Sequence, residues 1–232
     1  MSPTSEIITA TPVPPDQVRV PASVIVLEPT PGPMVDGNVG AGQDIAENGA
    51  GGAVGACNDC HGADGAGDEL TGTPRLANVQ ATYLYNQLVA YQTGARKNQT
   101  MRSIVSGMNS SQMRDAAAYY ASLSIPAIEP VTANAAARAS GEELFLFGKQ
   151  LAWDKWLPAC RACHGRNGNG AGELFPPLAG QRASYLRQTL RDWQSGARTN
   201  DANGLMKNIA QQLTPEEMDA AAAYLNNMAT PK

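Results

Sequence analysis

Cys57-Asn58-Asp59-Cys60-His61-Gly62 returns 103 residues later as Cys160-Arg161-Ala162-Cys163-His164-Gly165, and the chain around each copy repeats in the same order. Pro74-Arg75-Leu76-Ala77 returns as Pro176-Pro177-Leu178-Ala179 at an offset of 102. Tyr83-Leu84 maps to Tyr185-Leu186, and Gln92-Thr93-Gly94-Ala95-Arg96 to Gln194-Ser195-Gly196-Ala197-Arg198, at that same offset. A three-residue insertion raises the offset to 105, pairing Met101 with Met206, Ile104 with Ile209, Met113 with Met218 and Ala117-Ala118-Tyr119 with Ala222-Ala223-Tyr224. So many matches in one order mark a duplication, two copies of one fold in tandem.

Each copy reads as helical. Gly40 to Glu47 and Gly141 to Gln150 form short helices ahead of the Cys pairs. Tyr83 to Gln92 and Tyr185 to Gln194 carry apolar or aromatic residues at helical spacing. The last helix of the second copy opens at Thr214-Pro215-Glu216-Glu217, with an N-cap Thr, Pro at the first helical position and Glu at N3 to close a capping box. Asn109-Ser110-Ser111-Gln112 is the same device in the first copy. No segment has strand period, so the expected fold class is all-α. The expected organisation is an extended Pro-rich tail over 1–34, a first domain over 35–125, a linker over 126–139 and a second domain over 140–232. The tail holds eight of the sixteen prolines, a density that no helical period survives. It reads either as a leader without structure or as a strap along a partner or the protein itself.

Cys-x-x-Cys-His on one helical turn places two sulfurs where they reach the two vinyl groups of a haem, with the adjacent His under the iron. Zinc needs four ligands, and each copy brings only two Cys and one His together. A redox Cys-x-x-Cys belongs at a strand end in a βαβ unit, and no strand is visible. The chain has four Cys and two His, so these two motifs consume all of them. Two covalently bound haem c groups are therefore expected, on Cys57, Cys60, Cys160 and Cys163, with His61 and His164 as axial ligands. The glycine-rich stretch 49–55 lacks the spacing and preceding strand of a nucleotide loop.

With both His used, bis-His ligation from this chain is excluded, and Met, Lys, Asn or an open site remain for the sixth position. The repeat selects Met101 and Met206, each about forty residues after its His and eighteen before the Tyr of the last helix. Lys97 and Lys207 are lesser alternatives. Met108 maps to Leu213, and Met113 and Met218 lie on the apolar face of the capped last helix, so these three read as packing. Met/His ligation raises the haem potential and fills both axial positions. Such an iron passes electrons without bond chemistry, and no catalytic residue is expected.

Some residues around the irons have weaker assignments. The carbonyl of Pro177 is placed to accept from the ring N–H of His164, with Arg75 in that role for His61; the alternative is a plain turn. Tyr91 aligns with Trp193 and Arg96 with Arg198, and their polar tips suit the anionic haem propionates. The alternative is a surface Arg with an aromatic neighbour.

Composition adds exclusions. The formal net charge of -4 offers no basic surplus for nucleic acid. The longest apolar stretch, Val24-Ile25-Val26-Leu27, is far too short to span a bilayer, although peripheral association with a membrane complex stays open. No signal peptide is visible at the start. Residues 35–125 carry eight acids against five bases, and 140–232 nine against ten, so different partners are expected at the two ends.

The order Cys-x-x-Cys-His-Gly, Pro-x-Leu-Ala, Tyr-Leu, Gly-Ala-Arg, Met, Ala-Ala-x-Tyr resembles the cytochrome c4 type of duplicated class I cytochrome c, over about 35–125 and 140–230. The resemblance implies two tandem class I domains related by a pseudo-twofold axis, haems facing each other across the interface, and a periplasmic home. Arg75 at a usual Pro position and the tail depart from that pattern. The expected function is single-electron transfer between a donor and an acceptor such as a terminal oxidase. The alternative is a dedicated cytochrome subunit of a periplasmic dehydrogenase complex, held partly by the tail. A di-haem redox enzyme is a third reading, disfavoured by the Met pair. The partners expected are redox proteins: a dehydrogenase, a cytochrome complex or a terminal oxidase.

Overall fold

Asn38 starts the first helix: its side chain accepts a hydrogen bond from the Ala41 amide at 2.9 Å, satisfying a donor that the first turn leaves free. The computed structural model describes residues 36–52, 54–152 and 155–229, so the expectations for the tail lie outside the described residues. The first half is built from α1 (Val39–Asn48), α2 (Asn58–His61), α3 (Ala81–Thr93), α4 (Gln99–Val105) and α5 (Ser110–Ser122). The second half repeats them as α6 (Ala135–Leu146), α7 (Cys160–His164), α8 (Ala183–Ser195), α9 (Leu205–Ala210) and α10 (Pro215–Asn226).

In each half the first and last helices cross, α1 on α5 and α6 on α10. The crossings are close because a glycine faces the partner backbone. A Cβ at Gly42 would strike the Asp115 carbonyl and lie 2.8 Å from Cβ of Tyr119; one at Gly141 would strike the Ala220 carbonyl and lie 2.7 Å from Cβ of Tyr224. Asp115 and Ala220, like Tyr119 and Tyr224, are repeat equivalents. Both last helices begin with the expected capping box, Asn109 with Gln112 and Thr214 with Glu217. Helices α3 and α8 each end at a left-handed glycine, Gly94 with φ 83° and Gly196 with φ 77°, a conformation that favours glycine.

Met113 and Met218 are fully buried, each in the core cluster under its last helix, and Met108 packs beside Met113. Burial of each of these side chains stabilises by roughly 1.5–3 kcal/mol.

Two expectations need correction. The second half contains a short hairpin, β1 (Lys149–Ala152) antiparallel to β2 (Lys155–Leu157), with Lys149 opposite Leu157 and Gln150 opposite Trp156. Gly148, at φ 76°, separates it from α6, so Gln150 is in a strand rather than in a helix. The hairpin shows no alternation because, Leu157 apart, both faces are largely open to solvent. Helix α6 also begins earlier than expected, inside the stretch read as linker. Asn134 caps it by accepting from the Ala137 amide, and Ala135, Ala136 and Ala137 are the strongest helix formers. The connection ahead of it is tied to α10, with the Val131 amide donating to Asn226 Oδ1 and Asn227 Nδ2 donating to the Val131 carbonyl.

Candidate functional site

Helices α2 and α7 are single turns that carry the Cys-x-x-Cys-His motifs, and the main chain after them folds back under each histidine. The Gly67 amide donates to the His61 carbonyl at 2.9 Å and the Gly170 amide to the His164 carbonyl at 2.8 Å. That return brings a proline carbonyl to each ring. Nδ1 of His61 donates to the Pro74 carbonyl at 3.0 Å, and Nδ1 of His164 to the Pro176 carbonyl at 2.9 Å. A carbonyl only accepts, so Nδ1 carries the proton and Nε2 keeps its lone pair for a metal. Burial pulls both imidazoles below the usual histidine range, against the carbonyl bond that favours the charged form, and so favours the neutral ring that a metal would need.

The expected acceptors, Arg75 and Pro177, each stand one residue too far along. The accepting carbonyl is that of the preceding proline. Arg75 instead turns its guanidinium into the interface between the halves, where it donates to the carbonyls of Ala77, Ala179 and Gly180.

Cys57 and Cys160 occupy matched positions, with Sγ 4.0 Å from the Ile45 carbonyl and 3.7 Å from the Leu144 carbonyl. Burial pushes the Cys57 thiol up and that of Cys160 to about 11. Neither is poised as a thiolate for zinc or disulfide exchange, which suits sulfurs held as thioethers. Met101 lies in the first turn of α4, its amide donating to the Asn98 cap at 2.9 Å, and packs half-buried against the first core. Met206 is half-buried in the first turn of α9, where the next amide, Lys207, donates to Asp201 at 3.0 Å.

Arg96 and Arg198 come together rather than lying apart on the surface. They form an antiparallel bridge, flanked by bonds from the Lys97 amide to the Ala197 carbonyl and from the Thr199 amide to the Ala95 carbonyl. Their guanidiniums stack on the aromatics that the repeat aligned, Arg96 4.7 Å from the Tyr91 ring centroid and Arg198 4.2 Å from that of Trp193. Each then crosses to the other half: Arg96 donates to the Tyr185 hydroxyl at 3.0 Å and Arg198 to the Tyr83 hydroxyl at 2.9 Å. Tyr83 and Tyr185 are repeat equivalents, so the exchange obeys the pseudo-twofold. Gln87, which sequence reasoning missed, accepts from both guanidiniums at 3.3 and 2.7 Å.

Every one of these acceptors is neutral. Among the described residues no carboxylate pairs with Arg96 or Arg198, although they are only 5% and 3% exposed. Burial opposes ionisation of Tyr185, yet the two guanidiniums outweigh it and bring its phenol down to about 8. Two buried cations with no anion call for one. Haem propionates are anionic, and two facing haems would bring them to this interface, so the residues present fit the group.

Comparison with known proteins agrees. Residues 41–124 and 130–229 each match the cytochrome c family. The thiosulfate dehydrogenase electron acceptor of Stutzerimonas stutzeri is 40% identical over 81% of this chain and 86% of its own length. Cytochrome c4 of Thiocapsa roseopersicina is 33% identical over 83% of this chain and 98% of its own. Among solved structures, reduced cytochrome c4 from Pseudomonas stutzeri superposes with a TM-score of 0.71 at 30% identity, covering 84% of this chain and all of that one. Thiosulfate dehydrogenase (TsdBA) from Marichromatium purpuratum gives 0.76 at 36% identity over 82% of this chain, which spans 40% of that longer polypeptide.

The fold and the paired motifs define a duplicated, helical haem protein that transfers electrons. This chain belongs to the cytochrome c family, as a di-haem member of the cytochrome c4 type with two covalently bound haem c groups. No helix among the described residues is long and apolar enough to cross a membrane.

Proposed function

We propose that this chain is the di-haem electron acceptor of a periplasmic thiosulfate dehydrogenase, and that it catalyses no reaction of its own. The observation that carries this reading is its likeness to two curated thiosulfate dehydrogenase electron acceptors, at 40% and 38% identity over 81% and 73% of the chain. Joining two thiosulfate ions through a new S–S bond releases two electrons, which matches the capacity of a two-haem acceptor.

Under this reading Cys57, Cys60, Cys160 and Cys163 hold the haems as thioethers. His61 and His164 ligate the irons through Nε2, and Met101 and Met206 complete the two coordination spheres. The irons supply reversible one-electron chemistry. The protein holds each imidazole in one tautomer through Pro74 and Pro176, and Arg96 and Arg198 hold the propionates at the interface.

The test mixes oxidised holo-protein with thiosulfate, with and without a separately purified thiosulfate dehydrogenase. Reduction should appear at both haems only with the dehydrogenase, at a rate proportional to its concentration. Reduction by thiosulfate alone would make the chain an enzyme. Failure with the dehydrogenase, while other cytochrome donors succeed, would favour a free-standing shuttle. That second reading draws on the match to 98% of the length of a cytochrome c4.

A further inference from the structure

Arg75 is 1% exposed and has no carboxylate partner among the described residues. Main-chain oxygens alone hold its guanidinium: Nη1 donates to the Ala77 carbonyl, Nη2 to the Ala179 carbonyl at 3.1 Å and Nε to the Gly180 carbonyl at 3.3 Å. Ala77 and Ala179 are equivalent positions of the repeat. Each lies three residues beyond the proline whose carbonyl accepts from the histidine of its own half. The guanidinium therefore bridges matched carbonyls of the two halves, each on the segment that supplies its own histidine's acceptor.

Gln181 fixes it there. Its Oε1 accepts from the Arg75 amide at 2.7 Å and its Nε2 donates to the Arg75 carbonyl at 2.9 Å. The charge that bears on Arg75 is another cation, Arg182, itself bonded to the carbonyls of Ala66 and Gly67. Burial pulls the Arg75 pKa down to about 10, still well above neutrality, so the charge persists.

We propose that Arg75 is a single shared charge that raises the reduction potentials of both haems together. Reduction removes one positive charge from an iron, so a fixed cation nearby favours the reduced state. In a buried interface that effect is weakly screened by salt. The acidic residues of the first half sit mostly in solvent and oppose it less per charge. The inference rests on His61 and His164 ligating the two irons.

The test is a potentiometric titration of the holo-protein, with the haems told apart by the methyl resonances of the ferric state. Arg75→Met should lower both potentials, each by about a tenfold change in the reduction equilibrium, or ~59 mV for one electron. Arg75→Lys keeps the charge while losing two of the three carbonyl bonds, and should restore both potentials. Gln181→Glu places a negative charge at the Arg75 main chain, in the same buried interface and without emptying it, and should lower both, even if Arg75→Met fails to assemble. A shift at one haem only, a Lys variant as low as the Met variant, or no shift at all would overturn the proposal. Failure of the underlying ligand assignment shows separately, as an unchanged haem spectrum in His61→Ala or His164→Ala.

Discussion

Arg96 and Arg198 pair main chain to main chain, and each sends its guanidinium to a tyrosine of the opposite half. The halves are thus joined by an exchange of like charges, with two cations held side by side and only neutral oxygens of Gln87, Asn200 and the two phenols as acceptors. Polypeptide alone does not stabilise such a pair. Anions entering from both sides would make the arrangement favourable, and docking of the domains would then be linked to loading of the haems.

That linkage sets the sign of a mutational effect. If propionates face these arginines, Arg198→Gln leaves an anion buried without its cation and should destabilise the holo-protein by about 3–5 kcal/mol. If no anion is there, the same change removes an unpaired buried cation and should be neutral or stabilising. Denaturant unfolding followed at the Soret band distinguishes the two outcomes.

The helix crossings give a second prediction. Gly141→Ala drives a methyl group into the Ala220 carbonyl and Cβ of Tyr224, and Gly42→Ala does the same at Asp115 and Tyr119. Each should destabilise by about 1–3 kcal/mol through overpacking, outweighing the helix propensity gained by alanine. Gly40 lies on the same α1 helix but meets only the Asn38 side chain at 3.4 Å. Gly40→Ala should therefore be neutral, or stabilise by up to about 1 kcal/mol. Thermal melts of the three variants check the ordering.

The caps of the last helices are a third case. Thr214→Ala and Asn109→Ala each remove an oxygen that accepts from the N3 amide, and should each cost about 1 kcal/mol. Glu217→Gln keeps the capping box but loses the 2.7 Å ion pair with Lys149. That pair is partly exposed, so its loss should cost less than about 1 kcal/mol. Denaturant midpoints at constant m-value measure all three.

What could be read from residues alone followed from where the physics leaves a side-chain signature. The motifs, the duplication, the capping boxes and the core placement of Met113 and Met218 all have one. The acceptor for each histidine does not, because a main-chain carbonyl looks the same at every residue; the expectation fell on Arg75 and Pro177, one position late. Gln87 and Gln181 were invisible for another reason. Their repeat equivalents are Thr189 and Val79, so the duplication that picks out the matched residues hides those that only one half uses. The hairpin escaped because it buries too little to alternate, and the Ala-rich start of α6 because a solvated helix and a linker share a composition.

The methionine assignment yields the fourth prediction. In ferric c-type haem a weak far-red band reports sulfur bound to iron, so two Met-ligated haems contribute about equally to it. Met101→Leu and Met206→Leu should each remove about half of this band and lower the potential of one haem, since axial ligands set haem potentials over a range of about 0.8 V. The double variant should lose the band entirely. Met113→Leu is the control: its side chain is 1% exposed in the core, the swap nearly conserves volume, and the cost should stay below about 1.5 kcal/mol with the band intact. The outcome at Lys207 decides the remaining alternative. Its side chain is exposed while its main chain is held by Asp201 and Gln211, so Lys207→Met should leave both potentials and the far-red band unchanged. A band that survives Met206→Leu but responds to Lys207→Met would transfer the ligand role within the first turn of α9.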